Sequence, residues 1–358
     1  MTDPPDALPR PLGWSFSAEQ AANPELSGWR APDGVSVVRY MRAHRVPGGG
    51  AMCVAAGDPF APADRLSAVA EAFEQACESR GEGVIWFGAS PRFHAAHRRT
   101  SLVIGAEPVL RPADWSETLS VKASLRAQVA RARNKGVEVE EWSDARAAHL
   151  ESLRPTLDAW LATRGMPQLH FLAQPDVLGA PGRRRFVVAT QHGAIVAFAV
   201  IAPVGARSAA LLEWIIRRPD APNGTASLLV DVAMRACARD RIAEVSLGLV
   251  PLSTYAPLSA NAPPPVVRAL LRWTRAHARR FYHFDGLERF KAKFRPHRWE
   301  PSYLLTTQPT VTIGTLHAVA DAFAGPISPE RLVAEAVARA GLDEFQRLRD
   351  RVRALAAR

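Results

Sequence analysis

Shifted against itself by 160 positions without gaps, the chain superimposes Pro59 on Pro219, Ala61 on Ala221, Pro62 on Pro222 and Ser67 on Ser227. The same shift brings Ala76 onto Ala236, Cys77 onto Cys237, Gly88 onto Gly248 and Pro91 onto Pro251. Because alanine and proline are common here, the order of these eight identities in a 33-residue window carries more weight than their number. Each copy reads as a proline break, a helical stripe, a short apolar strand and Gly-x-x-Pro, the layout of an internal duplication. The repeat restricts the fold to two related α/β halves. With 358 residues and 47% apolar side chains, the chain can fill both cores.

In chain order, residues 1–33 are rich in proline and polar groups without a sustained period, which predicts an irregular lead. The first half spans 34–150. Residues 35–40 and 51–56 read as strands joined through Pro47-Gly-Gly-Gly50. Leu66, Val69, Phe73, Ala76 and Cys77 then form a helical stripe, and 84–87 a strand. A basic helix over 124–135 ends at Gly136. The second half spans 151–312, after a connecting helix over 149–164, and opens with a hairpin over 186–198 whose Gln191-His-Gly193 is turn-like. Each half is expected to be a mixed sheet flanked by helices, an α/β (α+β) class. Residues 313–358 read as an amphipathic helical tail with Leu332, Ala336, Phe345, Leu348, Val352 and Leu355 in its stripe, broken at Gly341.

A net charge of +10 favours polyanionic partners such as RNA or an acidic lipid surface. Only four basic residues are lysines, Lys122, Lys135, Lys291 and Lys293, against 41 arginines. Where arginine is used so freely, a lysine marks a place that needs a compact ammonium or a thin stem. The three cysteines are too far apart in sequence for a CxxC pair and too few for a disulfide framework, which fits a reducing cytosol. The N-terminus reads as neither a signal peptide nor a membrane span, so the expected location is cytoplasmic, with peripheral contact at the inner membrane face left open.

The segment Arg217-Arg218-Pro-Asp-Ala-Pro-Asn223-Gly224 lies between a strand and a helix. With Asn223 as N-cap, the exposed N–H groups and two arginines would make an anion site; an ordinary capped turn is the other reading. Glu213 stands in an otherwise apolar strand, so it is either paired with Arg217 or Arg218 or serves as a general base. Asp285-Gly-Leu-Glu288 matches a capping box. It starts a helix with Leu287, Phe290 and Phe294 on its apolar face, Lys291 bordering that face and Lys293 well round from it. A lysine aimed at a reacting carbonyl would stabilise an oxyanion or bind a donor phosphate. Arg126, Arg131, Arg133 and Lys135 make the basic helix a candidate phosphate-binding surface. The chain carries no GxSxG, Walker A or GxGxxG, and His94 and His97 suggest no third ligand, so no metal site is expected.

Through Arg217-Arg218-Pro-Asp-Ala-Pro-Asn-Gly, Ser246-Leu-Gly-Leu-Val-Pro-Leu-Ser253, Gly286-Leu-Glu-Arg-Phe-Lys-Ala-Lys-Phe and Trp299-Glu-Pro-Ser-Tyr303, the sequence resembles the C-terminal catalytic domain of lysylphosphatidylglycerol synthases, the multiple peptide resistance factor family. The resemblance runs from roughly residue 35 to 307. It implies two GNAT-like halves related to Fem-type aminoacyltransferases, chemistry in the second half, an aminoacyl-tRNA donor and a phosphatidylglycerol hydroxyl as acceptor. Stand-alone relatives also include enzymes that load an amino acid onto small amines or hydroxylamines, so the resemblance leaves a lipid or a small molecule as acceptor. The family's membrane-embedded flippase is not in this sequence, and the acidic residue that often follows Asn-Gly is replaced by Ala226-Ser227. The resulting expectation is an aminoacyltransferase without metal or redox cofactor. Lys291 or Lys293 would serve the oxyanion or donor phosphate, and Glu213 the base or the donor's amino group. Arg217, Arg218, Asn223 and Gly224 would hold the donor's 3′ end, with Ser253, Asp285 and Tyr303 as further polar groups and Arg126, Arg131, Arg133 and Lys135 along the tRNA backbone. The alternatives are an acyl-CoA-dependent N-acyltransferase and a non-catalytic RNA- or membrane-binding relative.

Overall fold

Strands rich in Val, Ile, Ala and Phe need cover on both faces, and the chain supplies it by laying helices over one mixed sheet. The computed structural model describes residues 8–44, 50–142, 150–163, 169–173, 178, 183–257, 263–277 and 284–331. Strands β1 (Ser27–Arg30), β2 (Val37–His44) and β3 (Ala51–Ala56) are successively antiparallel. Helix α1 (Leu66–Glu78) crosses over, and β4 (Gly83–Ala89) returns parallel to β3. Then come α2 (Pro91–Ala96), β5 (Thr100–Leu110), α3 (Trp115–Val121), α4 (Ala123–Asn134), β6 (Val137–Trp142) and α5 (Arg154–Leu161).

The second copy repeats the plan. Strands β7 (Arg185–Gln191), β8 (Ala194–Val204) and β9 (Ala209–Arg217) are antiparallel, α6 (Thr225–Arg239) crosses over, and β10 (Glu244–Ser246) lies parallel to β9. Strand β11 (Val250–Pro251), helices α7 (Pro265–His277) and α8 (Phe284–Ala292), strand β12 (Arg298–Thr306) and helix α9 (Ile313–Ala324) follow. The 160-residue shift lays β3, α1 and β4 onto β9, α6 and β10, and the superimposed Gly88 and Gly248 both adopt positive φ, 80° and 81°. The β7–β8 turn has His192 at φ 51° and Gly193 at 76°, the left-handed pair that a two-residue hairpin requires.

Tertiary pairing then mixes the halves. The sheet order is β1-β2-β3-β4-β12-β5-β10-β9-β8-β7-β6, with β11 on β5. Thus β12, late in the chain, completes the first copy against β4, while β5 completes the second against β10, and β5 and β12 pair along their lengths. Residues 111–142, which the sequence reading places with the first half, belong to the second by packing. Trp115, Leu119, Leu125, Val129, Ala132 and Val137 share a core with Val187, Leu229 and Met234, and β6 pairs with β7. The lead is more structured than its composition suggests: β1 extends the sheet, and Phe16 packs with Val109, Val204 and Leu211. The tail stripe from Leu332 to Leu355 lies outside the described residues.

Candidate active site at the split of the sheet

Strands β9 and β10 pair only from Ala209 opposite Glu244 to Leu211 opposite Ser246. Beyond that point β9 runs on to Arg217, while the chain after β10 turns at Gly248 and pairs again as β11, on β5. The sheet therefore splits, and backbone carbonyls at the split lose their strand partners. Lys291 of α8 fills the gap: its Nζ donates to the carbonyls of Gly248 at 2.9 Å and Leu249 at 3.2 Å. The lysine is only 8% exposed, and burial pushes its pKa down to about 7 against the pull of Glu107.

Glu107 projects from β5 on the same sheet face as Glu300 of β12, its register partner. It accepts a 2.6 Å hydrogen bond from Ser246 Oγ, which itself accepts from Gly248 N at 2.9 Å. Burial raises the Glu107 pKa to about 7; the Ser246 hydrogen bond, Lys291 and Arg207 pull it down, and Glu300 pushes it up. A carboxyl and an amine that both titrate near neutrality and lie within electrostatic reach of each other can exchange protons with a bound substrate. Sequence reasoning missed Glu107. The signal was available, because Glu107 interrupts the apolar run 102–110 as Glu213 interrupts its own strand.

Residues 15–306 match the family described as phosphatidylglycerol lysyltransferase, C-terminal. The chain belongs to this family. It is similar to the lysylphosphatidylglycerol biosynthesis bifunctional protein LysX of Mycolicibacterium gilvum, 28% identical over 287 residues, which covers 76% of this chain and 25% of that protein. It thus spans about a quarter of the length of the curated relatives it matches. In fold it is similar to the C-terminal domain of a protein assigned as a lysylphosphatidylglycerol synthetase from Agrobacterium fabrum, with TM-score 0.70, 20% identity, and coverage of 91% of this chain and 94% of that one. L-PGS from Bacillus licheniformis gives TM-score 0.68 and 20% identity over 86% of this chain and 94% of that structure.

Against this family background the predicted site residues disperse. Glu213 is bound neither to Arg217 nor to Arg218: Arg184 grips it with two hydrogen bonds of 2.6 and 3.2 Å, side chains 7% and 2% exposed, so its oxygens are committed to a buried ion pair. Arg217 donates to the carbonyl of Ala221, and Arg218 pairs with Asp220. Asn223 does not cap α6; Gly224 does, at φ 103°, with no side-chain cap. A Cβ at Gly224 would lie 2.1 Å from the Gln128 carbonyl oxygen, so α4 and α6 meet there through the glycine. Asp285 lies inside α8 and pairs with Arg275 at 3.0 Å. Glu288 instead holds the 250s loop through Thr254 N and Oγ1, and Ser253 Oγ accepts from Tyr255 N. Tyr303 lies across the sheet in the first copy, stacked on His94 at 4.1 Å. His97 is buried against Glu74.

Lys293 also reaches inward, to Gln128 Oε1 at 3.1 Å and Ser227 Oγ at 3.0 Å, over the rings of Phe290 and Phe294. Burial lowers its pKa to about 8. At Ser227 this ammonium therefore meets a hydroxyl and, at Gln128, an amide oxygen rather than a carboxylate. On α4, Arg126 donates to the carbonyls of Leu119 and Ser120 and Arg133 pairs with Asp231, while the side chains of Arg131 and Lys135 are exposed. Cys53 of β3 joins Cys77 and Glu82, which flank the end of α1, and the three bring their ligand atoms within 4.8 Å of one another, with Arg80 donating to both sulfurs.

Proposed function

We propose that the chain transfers an aminoacyl group from its tRNA ester to a hydroxyl of a phosphatidylglycerol-type lipid. The carrying observation is that the split between β9 and β10 seats buried Lys291 on the carbonyls of Gly248 and Leu249 and, within electrostatic reach of it, Glu107 on the hydroxyl of Ser246, with both groups pushed toward 7 by burial. An aminoacyl ester is already activated, so the site has to orient, move one proton and stabilise an oxyanion. The acceptor hydroxyl attacks the ester carbonyl and gives its proton to Glu107. Lys291, in its charged form, stabilises the tetrahedral oxyanion. As the carbon–oxygen bond to the tRNA breaks, the departing 3′-oxygen takes the proton back from Glu107, which returns to its carboxylate form, and one ester replaces another without oxidation or reduction. Lys293, one residue past the C-terminal end of α8 and held by Ser227 and Gln128, would meet a donor phosphate.

The exposed Arg131 on α4 and Lys135 at its C-cap support a tRNA path along that helix. Contact with a membrane surface is supported by α7, where Val266 and Trp273 are each 59% exposed beside Arg268 and Arg272. Among the described residues no helix is long and apolar enough to cross a membrane. The test is discharge of labelled aminoacyl-tRNAs by the purified chain, with and without phosphatidylglycerol vesicles and RNase. RNase-sensitive discharge with label appearing in lipid is the expected result. Absence of discharge together with turnover of acetyl-CoA would overturn the donor assignment.

A further inference from the structure

At the end of α1 the two copies share a backbone frame and differ in chemistry. Gly81, at φ 71°, turns the chain so that Glu82 N donates to the carbonyl of Cys77 at 3.1 Å, closing the helix. The second copy makes the same turn, with Arg241 at φ 55° and Ile242 N donating to the carbonyl of Cys237 at 2.9 Å. In the 160-residue register, however, Glu82 falls on Ile242 and Cys53 on Glu213. Cys237 accordingly lies in an apolar core with Leu229 and Met234, whereas Cys77 has a second thiol and a carboxylate beside it.

Cys53 and Cys77 are both fully buried, yet their sulfurs meet polar atoms. Cys53 Sγ donates to Glu82 Oε2 at 3.3 Å, and the ligand atoms of all three residues lie within 4.8 Å of one another. Among the described residues no other three metal-binding side chains converge in this way. A tetrahedral zinc ion, about 2.3 Å from sulfur and about 2.0–2.2 Å from oxygen, sets its ligand atoms about 3.6–3.8 Å apart, so small side-chain rotations would close the cluster on the ion. Two thiolates select such an ion over magnesium or calcium, which take oxygen ligands. The outer partners are in place as well. Arg80 Nε donates to Glu82 Oε2 at 2.7 Å, Arg80 Nη2 to Cys77 Sγ at 3.3 Å, and Arg42 Nε lies 3.0 Å from Glu82 Oε1. Such hydrogen bonds orient ligating carboxylates and thiolates, and the two guanidinium groups offset the negative charge that three anionic ligands bring together. Arg80 itself is 36% exposed, so the cluster has an outer side from which an ion can enter.

We propose that Cys53, Cys77 and Glu82 bind a zinc ion that fastens the end of α1 to β3. On binding, the thiols release their protons to solvent, two zinc–sulfur bonds and one zinc–oxygen bond form, and water completes the tetrahedron. None of the three ligands belongs to the candidate active site, so the ion's work is to hold the first copy's crossover helix on the sheet.

The experiment is titration of the whole chain, kept reduced by a phosphine, with cobalt(II), whose absorption reports thiolate ligation and tetrahedral geometry. One equivalent is expected to bind with a sulfur-to-cobalt charge-transfer band in the near ultraviolet, and zinc should displace it. Cys53→Ser and Cys77→Ser should each lose the band, Glu82→Gln should weaken binding by at least about tenfold, and Cys237→Ser should change nothing. Zinc should also raise the melting temperature of the parent chain and leave that of Glu82→Gln nearly unmoved. Absence of the band in the parent chain, or its persistence at full affinity in both serine variants at 53 and 77, would overturn the site. If those variants do not fold, the partly exposed Glu82→Gln carries the test, and unchanged cobalt affinity there would equally overturn it.

Discussion

Two carboxylates interrupt apolar strands in this chain, and their surroundings give them opposite work. Glu213 is neutralised by Arg184, so Glu213→Gln should cost about 3 kcal/mol by leaving that buried guanidinium only the weaker pull of Glu19. Chemical denaturation would measure this, and the pH–rate profile of the variant should keep its shape. Glu107 is held near 7 by burial, and only its deprotonated form can accept a proton. The transfer rate should therefore fall as pH drops below about 7. Glu107→Gln should lose about a hundredfold in kcat together with that limb. A variant that retained the limb would remove Glu107 from the proton path. Lys291 yields a stability prediction. Its pKa is about 7 folded against an ordinary value of 10.5, so between these values the native state binds fewer protons than the unfolded chain. Stability must then rise with pH across that window and carry its full penalty below it. Lys291→Met, which cannot titrate, should show a flatter dependence, and parallel curves from thermal melts at pH 7 and pH 10 would refute the low pKa.

At the level of elements, the duplicated strand–helix–strand unit ends each time in a left-handed glycine, and the two glycines meet different neighbours. A methyl group at Gly88 would meet only Leu172 at 3.8 Å, whereas at Gly248 it would lie 3.5 Å from Leu211 and 3.7 Å from Lys291 Nζ. Gly88→Ala and Gly248→Ala should each lose about 1–2 kcal/mol from backbone strain. Only Gly248→Ala should also change turnover, since it moves the carbonyl on which Lys291 rests; equal loss of activity in both would place the chemistry elsewhere. The helices show how local rules gave way to packing. Asn223 has the chemistry of an N-cap, yet α6 starts at the next residue but one because α4 approaches so closely that only Gly224 fits. Asp285 and Glu288 have capping-box spacing, but Arg275 and Thr254 offer them partners from other segments.

For the molecule as a whole, exchange of β5 and β12 between the copies makes the two halves interdependent. The chain should unfold in one cooperative transition that coincides for tryptophan fluorescence and circular dichroism, and a fragment ending near residue 150 should not fold, because it lacks β12 for its own sheet and leaves the apolar faces of α3 and α4 uncovered. Two separated transitions would show that the copies are independent.

The sequence by itself determined the duplication, the β7–β8 hairpin and the overall α/β class, and lysine scarcity singled out Lys291 and Lys293 as candidates, because proline breaks, glycine conformations, hydrophobic period and residue scarcity are local properties. What the tertiary structure alone decided is who stands beside whom. Glu107 comes within electrostatic reach of Lys291 from 184 positions away, Glu213 is claimed by Arg184, Tyr303 lies in the opposite copy, and residues 111–142 pack with the second half. A carboxylate's pKa and a lysine's charge are set by burial and by the charges within a few ångströms, and those distances exist only after strands distant in sequence have been paired.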